Sequence, residues 1–73
     1  VSRVAAIGEL EAVEGYGLAG VELLPAAGPG ALQEAWASLP ADVALLLLTP
    51  AAAAELGGRL AEAGDLLWVV IPE

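Results

Sequence analysis

The sequence predicts an α/β domain: an open four-stranded parallel sheet with strand order 2-1-3-4 and three helices on its two faces. Three observations predict it. Short apolar runs alternate with segments of helical period, strand then helix three times, followed by a last strand. Glycine and proline punctuate the boundaries. Val43 to Leu48 is apolar without interruption, as a strand covered on both faces of a parallel sheet would be.

Taken in order, Arg3 to Ile7 reads as a strand ended by Gly8. Glu9 to Leu18 reads as a helix with Leu10, Val13 and Leu18 inward. Its acids Glu9, Glu11 and Glu14 suit the positive end of the helix dipole, and Gly15, Gly17 and Gly20 weaken its end. Val21 to Leu24 is the second strand, closed by Pro25. After a loop, Pro29 suits the start of a helix that carries Leu32, Ala35, Trp36 and Leu39 at helical spacing and stops at Pro40. Val43 to Leu48 is the third strand. Thr49-Pro50 pairs a hydroxyl cap with a proline at the first helical position. The helix it opens, Ala51 to Ala63, places Ala53, Leu56, Leu60 and Ala63 on one face, and Gly64 ends it in the left-handed conformation. Leu66 to Ile71 is the fourth strand, ended by Pro72.

Right-handed crossovers in this Rossmann-like or flavodoxin-like order put the first helix on one face and the other two on the opposite face. One helix cannot shield four strands. The bare region falls over strands 3 and 4, the most apolar ones, and Leu45, Leu47, Trp68 and Val70 are the candidate interface residues there. A chain segment after Glu73, a partner chain or a second copy is expected to cover them.

Composition narrows the function classes. The chain has 73 residues and a net charge of −8, with Arg3 and Arg59 its only basic side chains. Nucleic acid and anionic membrane surfaces are therefore poor partners. The acids either complement a basic protein surface or keep a small apolar domain soluble. With no Cys, His or Lys, thiolate and imidazole metal sites and the commonest general bases are absent. No apolar run approaches the about 20 residues that span a bilayer, and no signal-peptide pattern opens the chain. A cytoplasmic protein is expected, with no cofactor and no catalytic or metal-binding residue.

Two motifs invite chemistry. Gly15 to Gly20 matches GxGxxG, but a dinucleotide site needs those glycines after a strand and opening a helix. Here they end a helix and lead into a strand. A phospho-receiver site needs an aspartate at the end of strand 3 and a later lysine, and Leu48-Thr49 and the missing lysine exclude it. Glu9, Glu11 and Glu14 read as a solvated face rather than an acid/base pair. Thr49 has its explanation as a helix cap.

Val4 to Glu9, with Gly8 and Glu9 closing the strand, and Gly15-Tyr16-Gly17-Leu18-Ala19-Gly20-Val21 together resemble the F subunits of the rotary A/V-type ATPases, the small globular subunits of the central stalk. Family members open with a strand ending in Ile-Gly-acid, followed by a Gly-Phe-x-Leu-Ala-Gly segment; Tyr16 stands here for the phenylalanine. Val21 to Pro25, the strand ending at Thr49, and Val69 to Pro72 fit the family's later strands, although an acid usually follows that threonine. The resemblance covers essentially residues 1–73, one domain that lacks the family's C-terminal helical segment. It implies a non-catalytic rotor component in the central stalk, a peripheral part of a membrane-bound complex. Its partners would be a coiled-coil shaft subunit and nucleotide-binding subunits, and its role would be to support coupling of ATP turnover to ion transport. The other reading is a degenerate receiver-like module that pairs with itself or other proteins, or binds a small ligand near Gly8 and Thr49.

Overall fold

A computed structural model describes residues 3–17 and 20–72. The expected inward position of Leu18 and the Leu18-Ala19 part of the glycine motif lie outside the described residues. The elements are β1 (Arg3–Gly8), α1 (Leu10–Gly17), β2 (Glu22–Pro25), α2 (Pro29–Ala37), β3 (Val43–Leu48), α3 (Pro50–Ala61) and β4 (Leu67–Val70). The strands form a single four-stranded sheet, all pairs parallel, in the order β2-β1-β3-β4. The predicted fold class is thus observed.

Local chemistry accounts for most boundaries. Pro29 occupies the first turn of α2, where the missing N–H has no helical partner to lose. Thr49 caps α3: its Oγ1 accepts a hydrogen bond from the Ala52 N–H at 3.2 Å. Gly64 has the left-handed φ of +66° foreseen for it. The helix itself ends slightly earlier, at Ala61, because the N–H groups of Glu62 and Ala63 bond back to Arg59 and Leu60 and tighten the last turn. α2 likewise ends at Ala37, short of Pro40, with the Ser38 N–H and hydroxyl both bonded to the Glu34 carbonyl.

Two hydrophobic clusters sit on the two faces of the sheet. The larger joins Ala5, Ile7, Leu46 and Leu48 to Leu32 and Ala35 of α2 and to Ala52, Leu56 and Leu60 of α3. The smaller joins Ala6, Val13 of α1 and Ile71, with Tyr16, Leu23 and Leu47 packed against it. α1 therefore covers one face alone, over β1 and β2, while α2 and α3 share the other. Leu10 departs from its expected inward position: it is exposed. It is the first residue of α1, two positions past the end of β1, and the helix packs on the sheet only from further along, through Val13 and Tyr16. β3 is also less enclosed than its unbroken apolar run implied. Leu46 and Leu48 are fully buried under α2 and α3, while Leu45 and Leu47 are half-buried on the α1 side.

Candidate interaction site

Open α/β sheets offer ligands a crevice at the carboxyl ends of the strands, where the strand order reverses. Here that point lies between β1 and β3, where Gly8 and Thr49 meet. The Thr49 N–H bonds to the Ile7 carbonyl at 3.3 Å, which brings the threonine side chain over Gly8. A Cβ placed on Gly8 would lie 2.8 Å from Thr49 Oγ1 and closer still to its Cγ2. Glycine at position 8 is thus required by this close approach. The hydroxyl that could have met a ligand is buried and already accepts the α3 cap bond.

The acids at this rim stay in solvent. Glu9 is exposed, and its carbonyl accepts from the N–H groups of Ala12 and Val13 to start α1. Glu9 and Glu11 line two open depressions. One of about 360 Å³ also holds Leu10, Pro25 and Ala26, and the other, of about 400 Å³, also holds Pro72. Among the described residues no three acids converge as metal ligands would.

The glycine motif is placed at the end of α1. Gly15 and Gly17 belong to the helix; Gly17 packs so closely on Leu23 of β2 that a Cβ there would lie 3.1 Å from Leu23 Cδ1. Gly20 has a φ of +87°, and the Gly20 and Val21 N–H groups bond back to Gly17 and Tyr16. The Tyr16 ring lies half-buried against the smaller cluster. Where it is described, this segment closes α1 and leads into β2, with the Gly20 and Val21 amides already bonded to backbone carbonyls.

The opposite edge of the sheet differs in kind. All four residues of β4 are exposed and apolar: Leu67 68%, Trp68 43%, Val69 49% and Val70 41%. Register decides their faces. Leu45 pairs with Leu67 and Leu47 with Val69, whereas Trp68 and Val70 pair with Leu46 and Leu48. Paired residues of parallel strands point the same way. The four candidate interface residues Leu45, Leu47, Trp68 and Val70 therefore divide two and two between the faces. The bare patch on the α1 side consists of Leu45, Leu47, Leu67 and Val69. Sequence reasoning missed Leu67 and Val69, because an unbroken apolar run carries no alternation from which a face can be read.

The backbone of β4 is equally open. The Ile71 N–H bonds to the Leu48 carbonyl at 2.7 Å, so Ile71, Val69 and Leu67 turn their peptide groups toward β3. Trp68 and Val70 then turn theirs outward, with no backbone partner among the described residues. No charge, proline or bulge interrupts the strand. These are the devices that usually guard a sheet edge.

Both basic side chains are engaged elsewhere. Arg3 makes ion pairs of 2.9 Å to Glu22 and Asp42, and Arg59 donates to Gln33 Oε1, which ties α3 to α2. No helix of the described residues is long and apolar enough to cross a membrane. No protein-family model matches this chain, and no curated protein matches it.

Proposed function

We propose that this domain is a non-catalytic protein-interaction module whose working surface is β4 and the adjoining bare part of the α1 face. The observation that carries this reading is β4 itself: four consecutive apolar side chains, each more than 40% exposed, on a strand with a free edge. A contiguous apolar surface on so small a domain is the mark of an interface. The close approach of Gly8 and Thr49 supports the non-catalytic half of the reading, since the threonine hydroxyl at this position is buried and committed to capping α3.

The specific form of the proposal is the small globular stalk component of a rotary A/V-type ATPase, a member of its F-subunit family, seated against a coiled-coil shaft and near nucleotide-binding subunits on the cytoplasmic side. Its support is the order and spacing of the motifs at Gly8-Glu9, Gly15 to Gly20, Thr49 and Pro72. The test is co-expression of the full chain with the shaft and nucleotide-binding subunits of its own source. Co-elution in fixed proportion is expected. A chain that elutes alone while the shaft and nucleotide-binding subunits assemble without it removes the stalk assignment.

A further inference from the structure

We infer that the free edge of β4 takes up one extended segment of a basic partner as a fifth strand, with lysine or arginine flanking an apolar core. This rests on the reading of the domain as an interaction module and is independent of the stalk assignment. Three features argue for it.

The first is hydrogen bonding. The outward N–H and C=O groups of Trp68 and Val70 form a short unpaired ladder, which an added strand would complete without moving any existing bond. The second is side-chain pattern. Leu67 and Val69 project to one face and Trp68 and Val70 to the other, so a strand with apolar side chains on both faces gains contacts on each. At about 3.3 Å per residue, the ladder accommodates a core of roughly four paired residues.

The third is charge, which decides between a basic partner and a second copy. The net charge is −8, and both arginines are engaged away from β4. The exposed acids Glu62 and Asp65 stand just before the strand, and the sequence places Glu73 just after it. Self-pairing through β4 would bring together two copies that each carry a net charge of −8, with the acids Glu62 and Asp65 leading into each paired strand. Like charges facing each other across a ladder are unfavourable, and basic flanks convert the same ends into attraction.

The experiment uses the full chain and two synthetic peptides with the same alternating Val-Thr core, one flanked by lysine pairs and one by glutamate pairs. Binding is followed at low salt by amide resonances and by Trp68 fluorescence in a Trp36→Phe background. The lysine-flanked peptide is expected to shift the Trp68 and Val70 amides most and to bind at least about tenfold more tightly than the glutamate-flanked one. Val70→Pro removes an outward donor while sparing the β3 ladder, and should weaken binding about tenfold. Val70→Lys keeps the backbone donor and repels the same peptide, so it decides the matter should the proline variant fail to fold. Equal affinity for both peptides, undiminished binding by both variants, no binding at all, or a peptide-resistant dimer mapped to the Trp68 and Val70 amides would each overturn the inference. Co-elution with the shaft that persists in Val70→Lys would leave the stalk assignment standing without this edge. Peptide binding without co-elution would do the reverse.

Discussion

The two edges of this sheet are built by opposite rules. At the β2 edge, the Ala26 N–H bonds to the Gly8 carbonyl at 2.7 Å, so Leu23 and Pro25 are the residues whose peptide groups face outward. Pro25 has no N–H to offer, Glu22 carries a charge tied to Arg3, and Leu23 is half-buried under α1. At the β4 edge the outward residues are Trp68 and Val70, whose N–H groups have no backbone partner among the described residues, in a strand of four exposed apolar side chains. The same parallel ladder thus ends in a guarded strand on one side and an open one on the other. Guarding an edge is what a soluble fold does by default. The open edge beside an apolar surface is the feature on which the proposed interaction reading rests.

The sharpest way to break this comparison is a pair of prolines one residue apart. Val69→Pro deletes an inward N–H and leaves the Leu46 carbonyl without its partner. It should destabilise the domain by about 3 kcal/mol, a large share of what a chain this size has. Val70→Pro touches only the outward side and should shift stability by less than about 1 kcal/mol. Urea denaturation followed by circular dichroism measures both, and equal losses would show that the phase of β4 has been assigned wrongly.

A smaller effect separates the side chains of the two edges. Leu23→Ala removes half-buried packing against α1 and should destabilise by about 1–2 kcal/mol, whereas Leu67→Ala should remain within about 0.5 kcal/mol. Similar denaturation midpoints for the two variants would erase the distinction between a covered edge and a bare one. The smallest effect belongs to Arg3→Ala. Its two ion pairs, to Glu22 at the start of β2 and to Asp42 before β3, are half-exposed, so their loss should lower stability by less than about 1 kcal/mol, and added salt should shrink the difference. A larger, salt-insensitive loss would give Arg3 a packing role in the guarded edge.

Much of this architecture is legible in the chain itself. Val43 to Leu48, bounded by turn residues, is the third strand to the residue, and Thr49-Pro50 marks the start of α3 because a hydroxyl cap and an N1 proline both act locally. What could not be read depends on tertiary placement. Leu10 has the right spacing from Val13 to be buried, yet it opens α1 and is exposed. Strand 2 begins one residue later than its apolar pattern and runs through Pro25, because proline is tolerated at a position facing away from β1. The faces of Trp68 and Val70 were hidden because a uniformly apolar run has no phase, and only pairing with Leu46 and Leu48 supplies one.

Pro25 has a consequence at the scale of assemblies. A molecule with two receptive borders can string into fibres, each copy docking its left margin on its neighbour's right. Here the left margin withholds a donor, so anything joined at the right ends the row. On the proposed reading the domain would act as a terminus, with one companion at the right margin and none at the left.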